Sequence, residues 1–148
     1  MKKLVIGITF PGSVILFKGQ LAYFKALGYQ TFLLAPVHER TREFCENEGC
    51  ILLPTPLERE ISLLKDVKSL YTVINHFRKI KPDIVNTGTP KMGLIGIIAA
   101  YITGVPIRIY TCRGFRFEHE TGFKRRILVS MEKITSFYLK KWCSLVHL

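Results

Sequence analysis

Leu4-Val5-Ile6-Gly7-Ile8-Thr9, followed by Phe10-Pro11-Gly12, decides the fold class. An unbroken aliphatic run of this length, closed by a proline-glycine turn, reads as a strand buried on both faces. Apolar residues then recur at helical spacing through Leu16, Phe17, Leu21, Phe24 and Leu27, and Gly28 supplies a stop. The unit is strand, loop, helix.

The alternation continues outward from it. Residues 31–35 form a second apolar run, 37–48 a polar helical stretch ended by Gly49, and 50–53 a third strand. Residues 54–62, with two prolines and alternating charges, read as a loop. Helical period returns over 63–80 through Leu64, Val67, Leu70, Val73, Ile74 and Phe77, and Lys81-Pro82 ends it. Asp83-Ile84-Val85-Asn86-Thr87 is a fourth strand; 91–103 is a helix apolar nearly all round, which predicts burial. Residues 107–111 make a fifth strand, 112–122 a polar loop, 123–142 a basic amphipathic helix and 144–148 a sixth apolar run. Strands alternating with helices imply right-handed parallel crossovers. The predicted fold is α/β, a Rossmann-like open parallel sheet of about six strands with helices on both faces, in one domain over residues 1–148. Ending on a strand predicts one half of a larger assembly.

Composition agrees with a packed domain. The 148 residues are 48% hydrophobic and 22% charged, with 22 Lys plus Arg against 11 Asp plus Glu. Disorder is excluded by the aromatic share of 11%. The net charge of +11 predicts an anionic partner: nucleic acid, an acidic membrane face or a phosphorylated ligand. Cys45, Cys50, Cys112 and Cys143 form no C-x-x-C pair and have no clustered histidines, so they read as reduced thiols and no metal is expected. Met-Lys-Lys leads into an apolar run too short for a signal-peptide core, and residues 92–107 fall short of the ~20 apolar residues of a spanning helix. The expected location is the cytoplasm.

In an open parallel sheet, ligands sit beyond the carboxyl ends of the strands, so the loops there carry the candidates. Gly7 to Ser13 lacks the lysine of a phosphate-binding loop, and no G-x-G-x-x-G follows the first strand, which argues against a nicotinamide-dependent enzyme. Gly12 and Ser13 still let a ligand approach backbone near a helix start; the plain reading is an ordinary turn. Thr87-Gly88-Thr89-Pro90-Lys91 brings hydroxyls, helix amides and one ammonium to the end of the fourth strand, an arrangement suited to an anion, whereas a solvated lysine in a capping turn is the plain alternative. The segment from Thr111 to Gly122 holds Arg113, Gly114, Arg116, Glu118, His119 and Glu120, which can bind phosphate and move protons near neutral pH, or simply pair with one another at the surface. Lys124, Arg125, Arg126, Lys133, Lys140 and Lys141 surround Phe123, Ile127, Leu128, Met131, Ile134, Tyr138 and Trp142 on the last helix. That pattern fits a core-facing helix with a solvated basic side, or one lying on anionic lipid.

Three stretches resemble the N-terminal half of family-4-type GT-B glycosyltransferases of bacterial capsular polysaccharide and O-antigen synthesis. They are Pro11-Gly12-Ser13 with Lys18-Gly19-Gln20-Leu21 and Leu27-Gly28-Tyr29; Lys81-Pro82-Asp83-Ile84-Val85-Asn86-Thr87-Gly88-Thr89-Pro90-Lys91; and Arg113-Gly114-Phe115-Arg116-Phe117-Glu118. The resemblance implies an enzyme that moves a sugar from a nucleotide-sugar donor to a lipid-pyrophosphate-linked saccharide acceptor, without a cofactor. It implies that this half holds the acceptor, that a C-terminal domain absent here supplies most of the donor site, and that this chain alone is inactive. Gly12, Ser13, Thr89, Lys91, Arg113, Gly114 and Arg116 would then bind acceptor or phosphate. Many relatives carry histidine where this chain has Arg113, so His119, with Glu120, becomes the catalytic candidate. A peripheral position on the inner face of the cell membrane follows from a lipid-borne acceptor. The alternative is a non-catalytic membrane-docking module that recruits a separate catalytic subunit. Nucleic-acid binding is not expected, because no reading-head motif is present.

Overall fold

In the computed structural model, which describes residues 1–58, 62–112, 121–138 and 141–144, the first aliphatic run is strand β1, Lys3–Gly7. It lies at the centre of a six-stranded parallel sheet. β2 (Gln30–Ala35) and β4 (Ile84–Thr87) flank it, with Val5 opposite Phe32 on one side and Val85 on the other. β3 (Ile51–Pro54) lies outside β2; β5 (Ile107–Cys112) and β6 (Lys141–Ser144) complete the other edge. The order is β3-β2-β1-β4-β5-β6.

Alternation along β1 builds two cores, because successive strand side chains point to opposite faces. Leu4, Ile6 and Ile8 pack with Phe17, Leu21, Leu33 and Phe44 beneath α1 (Gln20–Ala26) and α2 (Glu39–Glu48). Val5 joins Phe32, Val73, Phe77, Val85 and Met92 beneath α3 (Leu63–Ile80) and α4 (Pro90–Ile102). Helix α5 (Gly122–Tyr138) packs on α4. The all-apolar character of α4 is thereby explained: it is enclosed by the sheet, α3 and α5. Its glycines set how closely it approaches. A Cβ on Gly93 would fall 2.7 Å from the Tyr110 ring, and one on Gly96 would fall 2.8 Å from Thr87 Cγ2.

The sheet and its helices match the expected class, with three local differences. The helix expected through residues 16–27 is divided into a 3-10 helix, Pro11–Phe17, and the short α1. Gly19, at φ 80°, breaks it; the Glu48 carboxylate accepts from the amides of Gly19 (2.6 Å) and Ala22 (2.9 Å) and so holds the new start. The polar helix begins at Glu39 rather than at residue 37, because His38 caps it: its Nδ1 accepts from Arg40 N at 3.1 Å. The last helix stops at Tyr138, and strand comes at Lys141–Ser144, ahead of the expected 144–148. Pairing of Tyr110 with Trp142 along the open edge of β5 overrides the helical spacing that links Tyr138 to Trp142.

Cys45 and Cys50 are free thiols at the end of α2. The Cys50 thiol hydrogen-bonds Cys45, which holds the Cys45 thiol below its ordinary value; the same bond and burial push Cys50 up.

Candidate functional site

Strand order reverses between β1 and β4, and an open α/β sheet offers its crevice outside the carboxyl ends of such a pair. Two chain segments leave the sheet there. From β1 the chain passes through Thr9 and Phe10 into the 3-10 helix that begins Pro11-Gly12-Ser13; from β4 it passes through Gly88 and Thr89 into α4. Hydrogen bonds join them: Gly88 N donates to Gly7 O at 3.1 Å, and the hydroxyls of Thr9 and Thr89 are 2.7 Å apart. Ser13 N donates to Phe10 O at 2.9 Å, which closes the turn. Gly12 lies against the Phe10 ring, in space that a Cβ would need. The rim thus offers hydroxyls and turn backbone, groups that suit saccharide hydroxyls or phosphate oxygens.

The Gly12-Ser13 turn follows Thr9, whose hydroxyl is joined to that of Thr89. Lys91 turns elsewhere. Its side chain is buried, with Nζ 2.6 Å from Asp66 Oδ1 and 2.8 Å from Glu58 O, so the ammonium ties α4 to the start of α3. Asp66 Oδ2 in turn accepts from Ser62 N at 3.1 Å. Arg113, Gly114, Arg116, His119 and Glu120 lie outside the described residues.

The contacts that Thr9, Asp66 and Glu58 make with Thr89 and Lys91 were not legible in the sequence. Thr9 ends the aliphatic run that marks the carboxyl edge, and that position is the one signal that points to it. Nothing in the spacing links Asp66 to Lys91, which are far apart in sequence and meet through the crossover from β3 to β4.

Beside Lys91 a groove of about 570 Å³ opens beyond the ends of β2 and β3, walled by Pro36, Pro54, Pro56, Leu57, Lys65 and Lys68. Lys65 bonds Glu58, another of its lining residues, at 2.7 Å. On the other side of the sheet's midline, Thr111 Oγ1 donates to Asn86 Oδ1 at 2.9 Å and joins the ends of β4 and β5. Among the described residues no group of three or more His, Cys, Asp or Glu could hold a metal ion. Among the same residues no helix is long and apolar enough to cross a membrane.

Comparison with known proteins gives this geometry a context. The family model described as "Glycosyl transferase 4-like" matches residues 9–146. The chain is 43% identical, over 130 residues, to the Staphylococcus aureus capsular polysaccharide biosynthesis glycosyltransferase CapM, covering 88% of this chain and 33% of that protein. It is 48% identical over 66 residues to an Escherichia coli UDP-Gal:alpha-D-GlcNAc-diphosphoundecaprenol alpha-1,3-galactosyltransferase, covering 45% of this chain and 17% of that one. The chain therefore spans a third or less of the length of these relatives. Among solved structures, Acinetobacter baumannii MurG superposes with a TM-score of 0.70 at 14% identity, over 99% of this chain and 41% of that one.

Proposed function

The chain belongs to the glycosyl transferase 4-like family, and from that membership we propose that it is the acceptor-binding half of a retaining GT-B glycosyltransferase. The transfer runs from a nucleotide-sugar to a lipid-pyrophosphate-linked saccharide, in capsular or O-antigen polysaccharide synthesis. The observation that carries the reading is the junction of the two segments that leave β1 and β4, where the Thr9 and Thr89 hydroxyls lie 2.7 Å apart at the strand ends that such sheets use for ligands. Identity of 43% to a capsular polysaccharide glycosyltransferase supports the choice of reaction class.

Sugar transfer with retention requires the departing nucleotide diphosphate and an oxocarbenium-like centre to be stabilised where charge develops. In this reading, the crevice orients the acceptor hydroxyl toward that centre, which converts an encounter into a positioned attack. Gly12, Ser13 and Thr89 bind the saccharide and its phosphate. Arg113, Gly114 and Arg116 complete the phosphate contacts, and His119 with Glu120 handles the acceptor proton. Lys91 acts through its bonds to Asp66 and Glu58, holding α4 so that Thr89 stays in place. The donor is held mainly by a further domain, so the 148-residue chain alone transfers little or no sugar.

Nuclear magnetic resonance titration of the chain with a soluble saccharide diphosphate tests this. Shifts are expected to cluster on Gly12, Ser13 and Thr89, and Thr89→Val is expected to weaken binding about three- to tenfold, the effect of one hydrogen bond. Absence of binding, or shifts confined to α2 and α5, would remove the proposal.

A further inference from the structure

We propose that the outward side of the first half of α3 is a docking face for a bilayer that contains anionic lipid. The helical spacing of Leu64 and Val67 suggests two members of a core stripe, yet the structure turns both to solvent. Leu63 is 81% exposed, Leu64 88%, Val67 66% and Tyr71 65%. The core side of the helix is made instead by Leu70, Val73, Ile74 and Phe77. At 3.6 residues per turn, Leu64, Val67 and Tyr71 fall within roughly 60° of arc. This half of the helix is therefore apolar on two sides, and the described residues cover only one of them.

Charge identifies the occupant. Lys65, Lys68, Arg78 and Lys79 are exposed on the same helix. Its one carboxylate, Asp66, is bonded to Lys91, and the nearby Glu58 is bonded to Lys65. A helix with protruding apolar side chains, an aromatic hydroxyl at the boundary and basic flanks has the makeup of an interfacial element on anionic lipid. A second copy of this chain fits less well, since it would set the basic flanks of two α3 helices against each other.

Position gives the face a consequence. Lys65 and Lys68 belong both to this helix and to the wall of the groove beyond β2 and β3. A bilayer seated on Leu64 and Val67 would bring its headgroups to that groove, at the same carboxyl edge of the sheet as Thr9 and Thr89, so a lipid-linked saccharide could reach that edge without leaving the membrane. This consequence rests on the transferase reading; the docking itself does not, because it is measured without donor or acceptor. Failure of either leaves the other standing.

Vesicle flotation of the 148-residue chain tests the docking. Mixed phosphatidylglycerol–phosphatidylcholine vesicles are expected to carry the chain, and phosphatidylcholine vesicles to carry at least tenfold less. Leu64→Glu with Val67→Glu should lower the bound fraction at least tenfold. Lys68→Gln should lower it about fivefold, the effect of one basic residue near such a surface, and should flatten the salt dependence. Phe137→Glu, on the exposed side of α5, should leave binding unchanged. Thermal unfolding confirms that each variant is folded, and Leu64→Ser with Val67→Ser replaces the double glutamate if it is not. No binding to either vesicle, undiminished binding by the α3 variants, or loss with Phe137→Glu alone would overturn the proposal. A dimer of the chain that the α3 variants dissociate, without vesicle binding, would overturn it as well and assign the face to a second copy.

Discussion

Helices α3 and α4 lie side by side on one face of the sheet, and both are rich in apolar residues, yet their apolar residues have different causes. In α4 the apolar positions up to its last turn, where Tyr101 and Ile102 are exposed, are accounted for by neighbours: Met92, Ile95, Ile97, Ala99 and Ala100 are buried, and Gly93 and Gly96 admit the sheet's own side chains. In α3 the inner residues are accounted for in the same way, but Leu63, Leu64, Val67 and Tyr71 are not. Hydrophobic residues in a helix thus report a core only where something covers them. A contiguous apolar side that the described residues leave uncovered is what the docking proposal rests on.

The largest test of this contrast takes the inner side of α3. Phe77 is buried in the cluster with Val73, Val85 and Met92. Phe77→Ala should destabilise the chain by about 3–5 kcal/mol in urea unfolding, the lost transfer energy plus the cavity. A loss below about 1 kcal/mol would mean that α3 is not anchored by this side at all, and the division of the helix into two faces would fail.

The next test takes the bond between the two helices. Lys91 and Asp66 are 7% and 21% exposed at their side chains and 2.6 Å apart. Lys91→Met leaves the carboxylate partly buried without its cation, which should cost about 3 kcal/mol. Adding Asp66→Asn should restore much of that loss, and the four unfolding midpoints give the coupling directly. If Lys91→Met is neutral in stability, the tie between α4 and α3 does not matter to the fold.

The same contrast explains what could be read from the sequence. Parallel α/β architecture was legible because the aliphatic runs of β1, β2 and β4 and the stops at Gly28, Gly49 and Lys81-Pro82 all point one way. The division at Gly19 was not, since the apolar spacing from Leu16 to Leu27 crosses it, and the carboxylate that favours a fresh helix start there comes from distant Glu48. The places of Gly12, Ser13 and Thr89 just beyond strand ends were legible because the aliphatic runs before them mark where the strands stop. The destination of Lys91 was not, because spacing gives the position of a Cα and the reach of a lysine side chain is settled by Asp66 and Glu58 after the crossover has formed. The side that Leu64 and Val67 take was not legible for a related reason: a helix apolar on two sides has a periodicity that does not say which side is wet.

The smallest expected effect is the most informative about that ambiguity. Leu64→Ala removes an apolar side chain that is almost fully in solvent, so no cavity forms and little transfer energy is lost on folding. Alanine also has the higher helix propensity, by a few tenths of a kcal/mol, and partly offsets what contact is lost. The unfolding free energy should therefore change by less than about 0.5 kcal/mol, against the 3–5 kcal/mol of Phe77→Ala on the same helix. A loss of 2 kcal/mol or more at Leu64 would require it to be packed in the folded molecule. That result would return the residue to the core stripe that its spacing suggests and take away the apolar half of the docking face.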